Sequence, residues 1–478
     1  MSSATPAAPV LATATVYRWG RVALVGLLGL ATAFLFGMVW LAPEYVAIVP
    51  VVFIAPFLVG YLFGRPFLNL CVVLGAFALV SGFSDGLQVT EILYGLYYLG
   101  FLVHWFITRL LSSEPVLDTV EAKVLVLFLV GVTLSFGLTV LLGHPMGLAF
   151  SQWLALLFLG LFFPVREALL KDDRAPYALL GLLCWLGVFM TVRNLFEYRA
   201  ALNDAEQAWQ IVRGRVITND NILMVVSLVS LTITVFVNRW WHRLAMGALF
   251  LIVLGGLILT LSRAYWVVFL IGSFALLVLI RPVYRIRLLV LGIGGLSAAL
   301  LVGVVFFAEY SALILGGLVD RFASLGTATS RDISLLNRFL ETDAIMDLVW
   351  KNPILGYGLG AEYRFWDITF MATMERSFIH NGYVSLWYRF GLWGLGLMLT
   401  YWVLSGWRGV QAYRLEGPTA LRLCGLVTTI ALIAFILANI TSNQHHLKDG
   451  ALIFGVLGGM ASGAYARLRG PAPASDAA

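Results

Sequence analysis

The chain of 478 residues is 61% hydrophobic and 12% charged, with a mean hydropathy of +0.92. Soluble globular proteins carry roughly 45–50% and about 25%, so a water-soluble fold is excluded. The net charge of +6 requires no nucleic acid, because Lys and Arg concentrate on the cytoplasmic loops of membrane proteins.

Residues Met1 to Thr15 are rich in Ala, Pro, Ser and Thr and lack the charged-then-apolar order of a cleavable signal. Arg18 and Arg21 directly precede the first apolar run, which reads as a retained anchor. Apolar windows follow at 20–41, 45–63, 67–83, 90–111, 123–142, 148–164, 175–196, 221–237, 242–261, 264–280, 287–307, 380–405, 420–440 and 449–466. The fold class expected is an all-α polytopic membrane protein with about 12–14 transmembrane helices. Connections at Arg65, at Arg109 to Lys123 and at Arg166 to Arg174 carry cations, whereas those at Ala42–Tyr45, Ser84–Gln88 and Gly143–Met146 carry none. By the positive-inside rule both termini are cytoplasmic. The organisation expected is a tail over 1–19, a bundle of about eleven spans over 20–307, an outer loop domain over 308–379, C-terminal spans over 380–466 and a tail over 467–478. Cys71, Cys184 and Cys424 all lie inside apolar runs, which points to packing.

The outer face should be poor in cations, yet it holds Arg199, Arg213 and Arg215 in one loop and Arg263 at a span junction. An arginine there either snorkels to water or meets an anion. The long hydrophilic segment Ala308 to Ile379 adds Arg321, Arg331, Arg338, Lys351, Arg364 and Arg376. Within it, Ser334 to Trp350 reads as a helix that ends before Asn352-Pro353, and Gly356, Gly358 and Gly360 mark a turn. Arg338 sits three residues before Glu341, so an intrahelical ion pair is its plain reading. Two arginines converging from a span end and an overlying helix would instead suit a diphosphate, because guanidinium forks bind phosphate oxygens bidentately.

His380 stands where the large loop re-enters the membrane, and its side chain suits proton abstraction near neutral pH. Asn381 beside it reads as a helix N-cap or as a group that orients the imidazole or a sugar. The adjacent His445-His446 reads as a pair of surface histidines rather than a metal site, and no Asp-x-Asp pair marks the outer loops. Tyr363, Phe365, Trp366, Trp387 and Tyr388 read as interfacial anchors, with sugar stacking as the alternative.

His380-Asn381, nine residues, then Gly391-Leu392-Trp393-Gly394 resembles the H-[N/S/Q]-x9-G-x-x-[G/T/Y] signature of the O-antigen ligase family, which includes Wzy-type polysaccharide polymerases. Asn352 to Gly360 resembles the family's NPxxGxG turn. Asn337-Arg338 and Ser262-Arg263 resemble its two arginine positions. The resemblance spans about 250–405. It implies a GT-C-like membrane glycosyltransferase of a bacterial inner membrane, with its large loop helical and periplasmic. The implied donor is an undecaprenyl-diphosphate-linked glycan, transferred with inversion and without metal or other cofactor. On this resemblance Arg263 and Arg338 bind the diphosphate, His380 takes the acceptor proton, and Arg215 and Asn381 are secondary.

The acceptor would be the lipid A core for a ligase, or a second lipid-linked glycan for a polymerase, with a chain-length regulator as a further partner. Arg213, Arg215, Arg331 and Arg376, with a span count above twelve, lean the reading toward a polymerase. A transporter of bicarbonate or of lipid-linked glycan is the rival class. It calls for intramembrane charges lining a path, whereas the cations here gather at one face.

Overall fold

The computed structural model describes residues 57–80, 89–112, 115–203, 220–260, 262–306 and 333–470. The expected spans at 20–41 and most of 45–63, both tail ends, and Arg213, Arg215, Arg321 and Arg331 lie outside the described residues. The chain divides between Asn69 and Leu70 into two units. Of the first, the description covers an apolar helix at 57–63 and the opening residues of the next helix.

The helices follow the apolar windows closely. They are α1 (Pro66–Val80), α2 (Val89–Leu111), α3 (Val120–Leu142), α4 (Met146–Leu157), α5 (Phe162–Lys171) and α6 (Ala175–Asn203). Next come α7 (Asp220–Phe236), α8 (Trp240–Leu259), α9 (Arg263–Leu279) and α10 (Pro282–Phe306). The C-terminal set is α12 (Gly382–Arg414), α13 (Thr419–Ala438) and α14 (Lys448–Arg469). Among the described residues six helical segments are long and apolar enough to cross a membrane, with a bent pair at 57–80 as a seventh. This is an all-α polytopic membrane protein.

Two features depart from the expected boundaries. The window at 148–164 is only part of a longer segment, since a short 3-10 turn at Phe158–Leu161 joins α4 to α5 and the helix runs on to Lys171. Arg166 is therefore not a loop cation. It is buried, with Nη2 2.7 Å from Asp118 and Nε donating to Ser462 Oγ. Likewise α12 extends past 405 to Arg414, and Arg408 lies 3.3 Å from the buried Glu121. Ion pairing lets these cations sit inside helices that hydropathy alone would have ended sooner.

With no water to expel between helices in lipid, close backbone approach does much of the packing. Gly455, Gly459 and Gly463 form a stripe along α14. A Cβ on them would stand 2.6, 2.5 and 2.8 Å from the carbonyl oxygens of Phe158, Phe162 and Arg166. Gly409 of α12 and Gly425 of α13 meet in the same way, each Cβ position 2.6 Å from the other's carbonyl oxygen.

The loop domain contains α11 (Ile333–Val349) and, unanticipated by the sequence reading, an antiparallel hairpin of β1 (Tyr363–Asp367) and β2 (Ala372–Arg376). Strand β1 alternates buried and exposed residues, which is the period of a half-buried strand. Tyr363 and Phe365 point inward with Ile345, Val349, Ile379, Val384 and Tyr388 to form a small core. These aromatics are core residues rather than interfacial anchors, while Trp366 is exposed.

Candidate functional site

The two glycine motifs of the sequence are halves of one joint. Helix α12 breaks at Gly391, whose φ of 65° and ψ of −169° are open to glycine and strained for other residues. The break frees backbone groups, and the Asn352–Gly360 turn meets them. Leu392 N donates to Pro353 O at 2.9 Å, Tyr357 N to Tyr388 O at 2.8 Å and Gly358 N to Arg389 O at 2.9 Å. Trp387 Nε1 also donates to Pro353 O. A Cβ on Gly391 would stand 1.8 Å from Ile354 O, and one on Gly356 would stand 2.6 Å from the Arg389 carbonyl. The turn rests on the ends of α3 and α4, where Gly360 N donates to Gln152 Oε1 and His144 Nε2 lies 2.9 Å from Tyr357 O. This joint fixes the first turns of α12, and so His380.

Asn381 is the N-cap of α12, its Oδ1 accepting from the N–H groups of Tyr383 and Val384. His380 precedes it with a side chain 42% exposed. Its Nδ1 lies 3.0 and 3.2 Å from the two oxygens of Glu341, and its backbone N–H donates to Glu341 Oε2 at 3.0 Å. Glu341 is only 3% exposed. Tyr363 Oη completes its surroundings, 2.5 Å from Glu341 Oε1 and 2.7 Å from Phe378 O, with one proton for the two acceptors. Phe378 stands edge-on to the imidazole at 5.2 Å.

Burial works to raise the Glu341 pKa, but hydrogen bonds and charge from His380, with the Tyr363 hydroxyl, outweigh it and hold the carboxyl below its usual value. Burial and the adjacent carboxylate push the Tyr363 phenol far up, so it remains a donor.

The expected Arg338–Glu341 ion pair is thus replaced. Glu341 turns to His380, and Arg338 Nη1 donates to Thr441 O at 2.7 Å. The two side chains are three residues apart, yet long-range partners outcompete the intrahelical contact. An intrahelical pair of this spacing contributes only about 0.2–0.5 kcal/mol to an isolated helix.

Thr441 belongs to the loop 439–447 between α13 and α14, the hub of this end. Gly382 N donates to Asn439 O, and Asn443 Nδ2 to Ser385 Oγ, both at the start of α12. Tyr265 Oη donates to Gln444 Oε1 at 2.8 Å. Arg263 is the first residue of α9, two before Tyr265, and is partly buried. The hub therefore links the elements carrying Arg263, Arg338 and His380 at one end of the bundle. Arg215 lies outside the described residues.

Two further residues emerge only from the structure. His445 is buried rather than on the surface, its Nδ1 3.2 Å from Asn439 Oδ1, because the hub folds beneath α12. Burial, aided by Arg389, lowers its pKa to about 3, so the ring is neutral. Arg389 was one of nine anonymous spacer positions. It is buried and donates to Ser377 O at 2.5 Å and Ser385 Oγ at 2.6 Å, with His446 Nδ1 3.3 Å away, which fastens the segment entering His380. Among the described residues, no cluster of three or more His, Cys, Asp or Glu could hold a metal ion.

The fold and site define a polytopic helical membrane protein with a histidine–carboxylate pair at the junction of a loop domain and a span. Residues 248–399 match the family model Wzy_C, described as O-antigen ligase. The match takes in Arg263, Arg338, Glu341, His380, Asn381 and the Gly391 joint, while Arg215 lies before it. No curated protein matches the chain.

Proposed function

We propose that the protein is a glycosyltransferase of the bacterial inner membrane that transfers glycan from an undecaprenyl-diphosphate carrier to a sugar hydroxyl on the periplasmic face. The observation that supports this reading most is the half-exposed His380 imidazole held by Glu341 at the same end of the bundle as Arg338, within the family-matched segment.

In this reading the acceptor hydroxyl gives its proton to His380 as its oxygen attacks the anomeric carbon, and the bond to the diphosphate breaks with its electron pair. Attack opposite the departing group inverts the anomeric configuration. Arg263 and Arg338 take the charge that grows on the diphosphate, a task guanidinium groups perform at any working pH. The remaining contribution is alignment of two bound lipids or glycans, which removes the entropy cost of their meeting. No step calls for a metal or other cofactor.

The opposite end gathers Arg109 with Glu167, Arg166 with Asp118 and Arg408 with Glu121. These cations suit the cytoplasmic face, which supports the reading of His380 on the periplasmic side. Charges paired at an end, rather than along a path between ends, favour glycosyl transfer over transport. Of the two acceptors, the outer-face arginines of the sequence favour a second lipid-linked glycan over the lipid A core, and so polymerisation over ligation. A chain-length regulator would then be a partner.

The experiment is extraction of surface polysaccharide from a strain lacking the gene, complemented with wild type, His380→Ala or Arg338→Ala and resolved by size and lipid attachment. Single repeat units in the deletion and both variants are expected. Full-length glycan retained on undecaprenyl diphosphate would mark a ligase. Normal polysaccharide from well-expressed variants would overturn the site assignment.

A further inference from the structure

We propose that Glu341 is a positioning residue that, together with Tyr363, fixes His380 as the Nδ1–H tautomer, so that Nε2 is the atom that accepts the proton. The proposal rests on the reading of His380 as the base, and deepens it.

A carboxylate oxygen can only accept hydrogen bonds. Both oxygens of Glu341 lie within hydrogen-bond reach of His380 Nδ1, at 3.0 and 3.2 Å. In the neutral ring Nδ1 must therefore carry the hydrogen, which leaves the lone pair on Nε2. The ring is half-exposed, so this second nitrogen belongs to a side chain that substrate can reach. Without such a partner a loop histidine samples both tautomers and several ring orientations, and only one combination is useful to an acceptor hydroxyl.

The carboxylate is itself held. Its Oε2 accepts the His380 backbone N–H and its Oε1 faces the Tyr363 hydroxyl, so backbone and side chain of the histidine are tied to one group. Tyr363 comes from β1 and Glu341 from α11, so the hairpin and helix of the loop domain converge on the imidazole. A buried carboxylate is expensive unless its oxygens are satisfied. Here the histidine, its amide and a phenol satisfy them, while the nearby Arg338 is used elsewhere.

During transfer the hydroxyl proton moves to Nε2 as the oxygen–carbon bond forms and the carbon–diphosphate bond breaks. The resulting imidazolium faces the Glu341 charge, and its proton passes to water after the products leave. The diphosphate carries away the electron pair of the broken bond.

The test uses the full chain in lipid nanodiscs, with a lipid-linked glycan donor and a saccharide acceptor, comparing wild type, Glu341→Gln, Glu341→Asp and His380→Ala. Glutamine has the size of glutamate, but one terminus is a donor, so it cannot accept the Tyr363 hydroxyl at one end and the His380 backbone N–H at the other. Glu341→Gln is expected to lower kcat by about 10–100-fold, by analogy with carboxylates that orient metal-bound histidines. The KM for donor should stay within about threefold, with the variant still folded and monodisperse. Glu341→Asp keeps the charge and should recover part of kcat. If His380→Ala is inactive while Glu341→Gln turns over at the wild-type rate, or raises KM without lowering kcat, the positioning role is wrong and the base reading stands. If His380→Ala itself keeps wild-type kcat, the base reading fails, and this proposal fails with it.

Discussion

Replacement of Gly391 by alanine should break the joint between the Asn352–Gly360 turn and α12. The new methyl would stand 1.8 Å from Ile354 O and 2.7 Å from Leu355 N, backbone atoms that no rotamer change can move aside. The residue would also keep a φ of 65° with ψ near −169°. Such a conformation costs of order 1–3 kcal/mol for a non-glycine residue. Overpacking against a fixed backbone adds typically about 1–3 kcal/mol. The sum, about 2–6 kcal/mol, is comparable with the whole stability of many domains, roughly 5–15 kcal/mol. Gly396, five residues on in the same helix, is the control, because a Cβ there meets nothing within 4 Å. There alanine should be neutral or stabilising by up to about 1 kcal/mol. Thermal unfolding in detergent, followed by tryptophan fluorescence, should show Gly391→Ala melting at least about 5 °C below wild type, with glycan transfer lost, and Gly396→Ala at or above it. If the two variants melt within about 2 °C of each other, the joint does not hold α12 as described.

Gly459→Val places a side chain 2.5 Å from Phe162 O and should separate α14 from α5, seen as loss of monodisperse protein after extraction, whereas Gly292→Val, in open space, should be tolerated. Arg338→Lys keeps a charge but loses the fork. It should weaken donor binding about tenfold or more in a lipid-binding assay, and wild-type affinity would argue against diphosphate contact. The depressed pKa of Glu341 gives the pH dependence its sign. Its contribution to stability is complete above its usual value of 4.5 and is lost as pH falls through the lower folded value. Wild type should therefore lose melting temperature below about pH 4.5, and Glu341→Gln should lose less over the same range. Parallel curves would refute the linkage.

The fold was largely legible in the sequence, and the site only in part. Apolar windows placed the helices to within a few residues, because length and hydropathy are local properties. The windows erred where buried cations are paired across the bundle, at Arg166 with Asp118 and Arg408 with Glu121. The motifs marked His380 and Gly391, but not that the Asn352–Gly360 turn is what the Gly391 break binds. Glu341 was visible as the neighbour of Arg338, since helical spacing is readable. Its partner His380, thirty-nine positions on, depends on how the loop domain folds back. The alternation of Tyr363–Asp367 was the available sign of a strand. Nothing local separated Arg389 from the spacer around it, or His445 from a surface residue, because their burial is set by the 439–447 loop.

The most direct test of glycosyl transfer at His380 is a single-turnover assay of the purified chain in nanodiscs loaded with an undecaprenyl-diphosphate-linked glycan and a saccharide acceptor. Wild type is expected to release one undecaprenyl diphosphate for each new glycosidic bond, and His380→Ala, correctly folded and still binding donor, neither product. Equal release by the two proteins, or donor crossing the bilayer unchanged with no new bond formed, would contradict the account.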